Sequence, residues 1–569
     1  DSAGNLISKD HNTNRMGWGS GGVYCGKEMF PGEEFFGLGE QYAPDNNAGT
    51  MSYRGYTMEI WNNDSQCEDY RPSYCNVPWI VSSRRYALFF HNPGRNFWRF
   101  GTDGDTNRYA FDSNVGEMDY FFIYGGHMGN RCFKHVLDRY TELTGRPQLP
   151  PDWVFGFAVI ISNQAIATQG DQWRATGIPG DMIGIDAWWD TAIGSFQFAT
   201  GGQTEVNAAH ARNFKIWVWQ VPVVNPSAST NYNAGATNRY FGTNTSGGVY
   251  SVTLWGSASG GYIDCFKPAA RNWYKQIMQV RGSNGAILNP NVDCFKTDDG
   301  EYVPDSTGFL FMDGLYNGRE MHNVYGLVYN ETVWEEVKNR QNRGFVLHRC
   351  SYAGGQRNAV LWAGDNGSTF GDASQWGKAG MQATLRAQLT MGWTGYSYWT
   401  TDAGGCDGDR PTDELFQRWV AQWSAFQPFP MLNDYTGGNR APWFYSAAMQ
   451  AEMRRYMELR YRMFPYHYTY AYESAVNGTP IMRPMYMEYP DDPKTMHIGG
   501  KPPVTIDGQN VLGQYMLGDW LMVCPVTVSG LTSRAVYFPA GTWIHFWDES
   551  VVVSTRRVQT DAAPVNVIP

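Results

Sequence analysis

Apolar runs of five to seven residues alternate with segments of helical periodicity from about residue 151 to residue 431. Continuous apolar runs of this length are typical of parallel strands that are buried on both faces. The candidate strands are Val154–Ile160, Met182–Asp186, Lys215–Val221, Asp293–Asp298, Phe345–Arg349, Ala359–Trp362, Tyr396–Thr400 and Gln427–Met431. Helices are predicted near 203–213, 267–281, 324–340, 375–391 and 412–424. This alternation predicts an α/β fold, a (β/α)8 TIM barrel, in which only the link from Arg349 to Ala359 is too short for a helix.

Strand-and-turn patterns flank the predicted barrel on both sides. Before it, short aromatic or β-branched runs such as Tyr86–Phe90 and Tyr120–Tyr124 lie between Gly, Asn and Asp residues. After it, residues 445–475 predict one or two further helices, and the chain then returns to short strands such as Ala535–Phe538. We therefore predict an N-terminal β-sandwich over 1–145, the barrel with its trailing helices over 146–478, and a C-terminal β-sandwich over 479–569.

Composition narrows the classes of function. The chain has 44 Lys and Arg against 54 Asp and Glu, a net charge of −10, without a basic stripe, so a nucleic-acid partner is not expected. No uncharged apolar run reaches the length of a membrane-spanning helix, and no membrane partner is expected. Aromatic residues make up 15% of the chain. Tryptophan and tyrosine rings offer flat surfaces on which sugars or bases stack, and the acidic balance favours sugars.

Cysteine and histidine spacing gives no sign of a metal site or a cofactor. The nine cysteines have no CxxC spacing and the ten histidines have no HExxH motif. We therefore predict no metal and no cofactor. The odd number of cysteines leaves at least one free thiol, and pairing of Cys67 with Cys75 in an oxidising compartment stays open. The first residue, Asp1, is not Met, which indicates a processed or trimmed N-terminus, and we expect an extracellular or secreted protein.

Carboxylates cluster at the predicted C-terminal ends of the strands, where TIM barrels place their active sites. These residues are Asp186, Asp298, Asp299, Glu301, Asp365 and Asp402. Tryptophans occur nearby, at positions 188, 189, 217, 219, 362 and 399. An aspartate at a strand end, taken alone, more often caps a helix or forms a salt bridge in a loop, and a tryptophan taken alone more often belongs to the core. Together they suit glycoside chemistry, in which one carboxylate attacks the anomeric carbon and another protonates the leaving oxygen.

Several motifs resemble glycoside hydrolase family 31, especially its α-xylosidase-like branch, and they occur in the family's order along nearly the whole chain. The motifs are Asp293-Cys-Phe-Lys-Thr-Asp-Asp-Gly-Glu301, Met321-His-Asn-Val-Tyr-Gly326, Arg349-Cys-Ser-Tyr-Ala-Gly-Gly-Gln-Arg357, Trp362-Ala-Gly-Asp-Asn366, Thr144-Gly-Arg-Pro, Ile185-Asp-Ala-Trp188, Asp402-Ala-Gly-Gly405, Leu459-Arg-Tyr-Arg-Met-Phe-Pro-Tyr466 and Pro480-Ile-Met-Arg-Pro484. The family has more chain before Asp1 and after Pro569, so we expect this sequence to be the middle of a longer protein.

The resemblance implies that Asp298 is the nucleophile and Asp365 the general acid/base. The predicted substrate-binding residues are Asp186, Trp219, Lys296, Glu301, Arg349, Trp362 and Asp402. Because side chains alternate along a strand, Lys296 and Asp298 share one face, and a cation there favours an ionised nucleophile. Asp365 must hold its proton near neutral pH, so a raised pKa is expected for it.

The predicted function is that of a retaining α-glucosidase or α-glucosyltransferase whose partner is an oligosaccharide or α-glucan. The small Ala187 next to Asp186 leaves room for the hydroxymethyl arm of glucose. An α-xylosidase is the first alternative; an α-glucan lyase and a non-catalytic glycan-binding protein are more distant ones. Relatives commonly carry a histidine at the eighth strand, where this chain has Asn433, so substrate contacts at that position differ.

Overall fold

The structure is a computed structural model, and it describes residues 4–13, 15–19, 22–42, 50–65, 73–161, 165–199, 201–288, 291–341, 343–358, 360–371, 378–435, 438–499 and 503–569. Cys67 lies outside the described residues, so the pairing of Cys67 with Cys75 stays untested. In the described part of the chain, no helix is long and apolar enough to cross a membrane.

Eight parallel strands form the central barrel and confirm the predicted fold class. Their bounds are Ala158–Ile161, Met182–Ile185, Lys215–Gln220, Cys294–Thr297, Val346–His348, Val360–Trp362, Trp399–Thr400 and Met431–Asn433. Successive strands pair in chain order, and the first strand pairs with the eighth. A parallel bridge between Asp402 and Met431 joins the seventh strand to the eighth and completes the ring. The strand residues are buried apart from half-buried Lys215, as expected for a sheet covered by helices.

Helices follow most of the barrel strands. They are Ile166–Thr176, Gly202–Ala211, Pro268–Ile277, Gly318–Gln341, Met381–Trp393 and Asp413–Leu415. The last of these is short, and it continues as a π-helix over Phe416–Gln422 and then as a 3-10 helix over Trp423–Phe426. The helices Ala447–Arg462 and Phe464–Asn477 trail the barrel. The fifth strand is followed only by the 3-10 turn Gly355–Arg357, in keeping with the short link predicted there.

Several sequence predictions of local structure need correction. The first strand begins at Ala158 and not at Val154, because Asp152–Phe155 form a 3-10 turn. The eighth strand is Met431–Asn433 and does not begin at Gln427, because Pro428 and Pro430 have no backbone N–H for a strand ladder. A helix, Cys132–Thr144, lies in the region predicted as all-β. Its buried residues Phe133, Val136, Leu137 and Tyr140 have the helical spacing that the strand-rich surroundings concealed. The helices Ile166–Thr176 and Ser229–Thr237 were also not predicted.

The N-terminal part is rich in antiparallel sheet. One sheet contains Met16–Gly19, Gly22–Glu28, Arg108–Ser113, Asn96–Phe100 and Thr57–Ile60, and the other contains Phe35–Gly39, Asn76–Ser82, Tyr86–Phe90 and Tyr120–Tyr124. Buried aromatic side chains from strands of both sheets form one cluster; its members include Phe35, Trp98, Phe100, Tyr109 and Phe111.

A small sheet is inserted after the third barrel strand and contains Val223–Val224, Ala258–Tyr262 and Ser251–Leu254. The C-terminal part forms three further sheets: Met482–Pro484 with Tyr515–Leu517 and Leu521–Val523; Val504–Ile506 with Gln509–Val511, Ser533–Phe538 and Arg557–Ala562; and Gly541–Ile544 with Val551–Ser554. Short elements are Leu310–Phe311, Tyr316–Asn317 and Met485–Glu488, and 3-10 turns at Gly126–Arg131, Asp152–Phe155, Met312–Gly314, Pro442–Phe444 and Pro493–Thr495.

Glu40 carries a carboxyl group from the N-terminal sheets onto the barrel. Its side chain is fully buried, and one oxygen accepts hydrogen bonds from Trp399 Nε1 at 3.2 Å and from the Tyr42 hydroxyl at 3.3 Å. Burial raises the pKa of Glu40 to about 8, although these hydrogen bonds oppose the shift. The folded protein therefore keeps this proton over a pH range in which the unfolded chain, with an ordinary glutamate pKa of about 4.3, has lost it.

We expect Glu40→Gln to flatten the dependence of stability on pH. Because the folded-state pKa is raised, the contribution of Glu40 is fully present below about pH 4 and is lost as the pH rises towards about 8, by at most about 1.4 kcal/mol per pH unit. Thermal unfolding midpoints at pH 5 and pH 8 measure this slope. Glu142→Gln, on an exposed helix surface, is the control. Equal slopes for the Glu40→Gln variant and the unmodified protein would contradict the prediction.

Candidate active site

A cavity of about 320 Å³ opens where the C-terminal ends of the barrel strands meet. Its lining residues are Asp186, Ala187, Trp188, Trp219, Trp255, Lys296, Asp298, Arg349, Asp365, Lys378, Cys406, Asp407, Asn433 and Tyr435. Six of the nine predicted site residues are among them: Asp186, Trp219, Lys296, Asp298, Arg349 and Asp365. They come from the second to the sixth strands or from the residues just after them, which is why the barrel brings them together.

Three groups fix the carboxylate of Asp298, which follows the fourth strand directly. Trp219 Nε1 donates to Oδ2 at 2.9 Å, and the backbone N–H of Asp299 donates to Oδ1 at 3.0 Å. Arg349 Nε lies 2.8 Å from Oδ1. Asp299 adopts a left-handed φ of 53°, so the chain turns sharply at this point. The carboxylate is held in one orientation while it still lines the cavity.

Arg349 is the centre of a buried group of acids. Its guanidinium pairs closely with Asp299 and Glu301, in addition to Asp298. Burial opposes the charged form, but these carboxylates outweigh it and raise the pKa of Arg349 well above its ordinary value. Burial also raises the pKa of Glu301 to about 7, against the effect of Arg349. Removal of one member would leave the others buried without their partner, a strongly destabilising change.

Lys296 pairs with Asp186, a partner that the alternation of side chains along its strand did not indicate. Lys296 Nζ lies 2.6 Å from Asp186 Oδ2 and 4.4 Å from the centre of the Trp362 ring. Burial alone would lower the pKa of Lys296. The negative charges of Asp186 and, to a smaller extent, Asp298 outweigh burial and raise this pKa overall. Lys296 and Asp298 line the same cavity, and the cation paired directly with Asp298 is Arg349 from the neighbouring fifth strand.

Asp365 lines the same cavity and is partly exposed. Burial raises the pKa of Asp365, while the nearby cations Arg349 and Lys378 oppose the shift. The direction is the one predicted for a proton donor. The Cys406 thiol donates a hydrogen bond to Asp365 Oδ1, with Sγ 3.6 Å away.

Three predicted substrate-binding residues do not line the cavity. Glu301 is buried behind Arg349, and Trp362 is buried beneath Lys296. Asp402 is fully buried and accepts a hydrogen bond from Asn433 Nδ2 at 3.2 Å. Burial raises the pKa of Asp402 to about 7, with Lys296 opposing. These residues contact side chains of the cavity wall.

The tryptophans divide into core and rim. Tryptophans 189, 217, 362 and 399 are buried, which is the ordinary-core alternative considered for them. Trp188 is 62% exposed and Trp255 is 39% exposed, with ring centres 6.3 Å apart. The ring centre of Trp255 also lies 5.8 Å from that of Trp219. Trp255 Nε1 donates a hydrogen bond to Asp299 Oδ1 at 3.3 Å.

Sequence reasoning missed five residues of the cavity wall: Trp255, Lys378, Cys406, Asp407 and Tyr435. Trp255 occupies the turn of the inserted hairpin, far from any barrel strand in sequence. Tyr435 follows the eighth strand by two residues, and correct placement of that strand would have found it. Lys378, which pairs closely with Asp407, falls inside a helix predicted to begin at 375, although the helix begins at Met381.

Carboxylates that line one cavity of a TIM barrel, beside partly exposed tryptophans, define the architecture of a glycoside hydrolase. The chain belongs to glycoside hydrolase family 31. The pattern of the glycosyl hydrolases family 31 TIM-barrel domain matches residues 147–470. The family's C-terminal domain matches 478–569, and its N-terminal galactose mutarotase-like domain matches 1–98.

The chain is similar to family members of several specificities. Alpha-glucosidase 2 of Bacillus thermoamyloliquefaciens is 28% identical over 94% of this chain and 65% of that protein. An alpha-xylosidase of Emericella nidulans is 29% identical over 88% of this chain and 60% of that protein. A Flavobacterium johnsoniae GH31 dextranase complexed with glucose has a TM-score of 0.89 and 28% identity, covering 100% of this chain and 68% of that one. The chain thus spans less than two thirds of the length of these two curated relatives.

Proposed function

We propose that this protein is a retaining α-glycoside hydrolase and transglycosylase that acts on α-gluco-oligosaccharides through a covalent glycosyl-enzyme. One observation carries the proposal: Asp298, oriented by two hydrogen-bond donors and the Arg349 guanidinium, lines the same cavity as Asp365, whose pKa is raised by burial. A fixed carboxylate and a proton-holding carboxyl group are the two parts that a retaining mechanism needs.

In the proposed reaction, Asp298 attacks the anomeric carbon while Asp365 gives its proton to the departing glycosidic oxygen. The bond from the anomeric carbon to that oxygen breaks as the bond to Asp298 forms. Asp365 then takes a proton from water or from a sugar hydroxyl, which displaces Asp298 and releases the product. The arrangement needs no metal in any step, so we expect activity to survive EDTA.

The other polar groups of the cavity wall would bind the donor sugar. Asp186 and Lys296 form a buried ion pair at one side, and the sugar hydroxyls can accept from the lysine and donate to the aspartate. The Asp186 carboxylate is oriented by the N–H of Ala187 at 2.8 Å. Asn433, which stands where relatives commonly have histidine, lines the cavity and holds Asp402.

The exposed rim supports transfer to a sugar acceptor. Trp188, Trp255 and Tyr435 place aromatic surface at the cavity wall, and sugar rings bind such faces through their C–H groups. An acceptor held there would compete with water for the glycosyl-enzyme. We expect new linkages or longer oligosaccharides, besides glucose, when maltose or isomaltose is supplied at high concentration and the products are separated by chromatography. Glucose as the sole product would contradict the transfer half of the proposal.

We expect nitrophenyl α-glucoside to be preferred over nitrophenyl α-xyloside. Ala187 lies on the cavity wall beside Asp186, and its methyl group leaves room for the hydroxymethyl arm of glucose. An apolar pocket that accommodates one extra group discriminates by about 1–3 kcal/mol, or roughly 10- to 200-fold in kcat/KM. Ala187→Leu is the matched variant and should lower kcat/KM for the glucoside more than for the xyloside.

A preference of the unmodified protein for the xyloside would favour α-xylosidase, the second candidate, which the similarity to alpha-xylosidases supports. The extracellular location expected from the sequence is likewise a proposal. Detection of the protein in the culture medium or in the cell fraction tests it.

A further inference from the structure

We propose that Asp365, Asp402 and Cys406 form an inhibitory binding site for a thiophilic divalent cation such as Zn²⁺. One oxygen of each carboxylate and the Cys406 sulfur lie within 4.8 Å of one another. Among the described residues, this is the one group of three or more such side chains with the spacing of metal ligands. The site overlaps the proposed acid/base residue, so its occupation would stop the reaction and would not assist it.

The backbone builds this cluster. Cys406 follows Asp402 in the loop after the seventh strand, and the loop turns back on itself through the N–H of Gly405, which donates to the Asp402 carbonyl at 2.8 Å. Gly405 has a φ of 82°, and a β-carbon there would lie 2.5 Å from the backbone of Gly367. The Cys406 N–H then donates to the carbonyl of Asn366 at 3.1 Å. The thiol is thus fixed against the segment that carries Asp365.

An unsatisfied oxygen points to a missing ligand. Asp402 is fully buried, and its Oδ2 accepts from Asn433 Nδ2. Its Oδ1 has no hydrogen-bond partner within the described part of the chain. A buried carboxylate oxygen without a donor is uncommon in folded proteins. A cation or the hydroxyl of a bound sugar would satisfy it, and the two would compete.

The donor set selects the kind of cation. Two carboxylate oxygens and a thiolate sulfur suit Zn²⁺ and Cd²⁺, whereas Mg²⁺ and Ca²⁺ prefer oxygen alone. Bonds of about 2.0–2.3 Å can be reached from donors this close with small movements of the side chains. Binding releases the thiol proton, and any proton held by Asp365 or Asp402, to solvent as the metal bonds form. A fourth coordination position would face the cavity, as Asp365 and Cys406 both line it.

The cavity also contains cations, and each is already paired. Lys296 pairs with Asp186, Lys378 pairs closely with Asp407, and Arg349 is surrounded by acids. These cations pair with acids other than Asp365 and Asp402, so both carboxyl groups can become metal ligands when they lose their protons. With the metal in place, Asp365 can no longer give a proton to a leaving group, and the ion occupies the part of the cavity next to Asp365 and Cys406.

Titration of the full chain with Cd²⁺ tests binding without any assay of activity. Thiolate ligation to Cd²⁺ gives a charge-transfer band in the ultraviolet, and we expect this band in the unmodified protein. Cys406→Ser should remove the band and weaken Cd²⁺ binding at least about tenfold. Cys524→Ser is the matched control, because Cys524 is a buried thiol on a different cavity in the C-terminal sheets, and it should keep the band. A band that survives Cys406→Ser would overturn the proposal.

Two further measurements use the unmodified protein, in case the serine variant does not fold. Zn²⁺, but not Mg²⁺, should slow the alkylation of Cys406 by iodoacetamide, followed by mass spectrometry. Zn²⁺ should also inhibit turnover reversibly, raise KM for the nitrophenyl glycoside that is hydrolysed, and lose its effect on addition of EDTA. Equal alkylation rates with and without Zn²⁺ would contradict the site. If neither nitrophenyl glycoside were hydrolysed, the proposed function would fail, but the alkylation and Cd²⁺ results would still decide the metal site.

Discussion

Asp298→Ala is expected to lower kcat by roughly four or more orders of magnitude on every glycoside that the protein cleaves. In the proposed reaction Asp298 is the nucleophile, and its orientation comes from Trp219, from Arg349 and from the N–H of Asp299. Loss of the nucleophile in covalent catalysis removes the intermediate itself, which is why the effect is so large. Single-turnover and steady-state rates with an aryl glycoside measure it, after circular dichroism has shown that the variant is folded.

Azide supplies the control for this prediction. The cavity left by the missing carboxylate should admit azide, which attacks the anomeric carbon once from the vacated side and yields a β-glycosyl azide. Asp299→Ala is the comparison variant once circular dichroism has shown that it is folded, since Asp299 pairs with Arg349 and is fully buried. We expect a smaller loss for Asp299→Ala and no azide product. An inactive Asp299→Ala variant beside an active Asp298→Ala variant would show that the assigned nucleophile is wrong.

Asp365→Ala is expected to separate substrates by their leaving groups. An unactivated disaccharide needs a proton on the departing oxygen, and loss of the donor should cost about 10²–10⁴ in kcat. An aryl glycoside with an acidic leaving group needs little protonation, so its first step should remain partly active. Rates on isomaltose or maltose and on a nitrophenyl α-glucoside provide the comparison.

The matched variant for this second prediction is Asp407→Ala, a carboxylate of the same cavity wall that pairs with Lys378. It should affect the disaccharide and the aryl glycoside by similar factors, because it transfers no proton in the proposed reaction. If Asp365→Ala lowered the rates on the disaccharide and on the aryl glycoside by the same factor, Asp365 would not be the acid/base.

Much of the barrel could be predicted from the sequence because parallel strands buried on both faces leave continuous apolar runs. The runs ending near Asp186 and Asp298 locate their strands to within a residue or two. Prediction was poorer at Gln427–Met431, where prolines extend an apolar run without extending the strand. The helix Cys132–Thr144 was missed because the segments before it have the strand pattern.

The sequence predicted the site residues that lie at the ends of barrel strands. It did not predict the residues that reach the site from segments outside the barrel strands. The carboxylates of Asp186, Asp298 and Asp365 follow barrel strands and were found. Trp255 reaches the cavity on an inserted hairpin, and Glu40 reaches the barrel from the N-terminal sheets. No local pattern reports such contacts. The partner of Lys296 is Asp186, which follows a different strand of the barrel. Which acid lies nearest to Lys296 is determined by the closed barrel and not by the local sequence.

The anomeric form of the first product tests the central claim most directly. Proton NMR of a fresh reaction with an α-linked gluco-oligosaccharide follows the released sugar before mutarotation mixes the anomers. Two displacements at one carbon, first by Asp298 and then by the acceptor, predict the α-anomer as the initial product. An initial β-anomer would mean a single displacement by water and would contradict the covalent role assigned to Asp298.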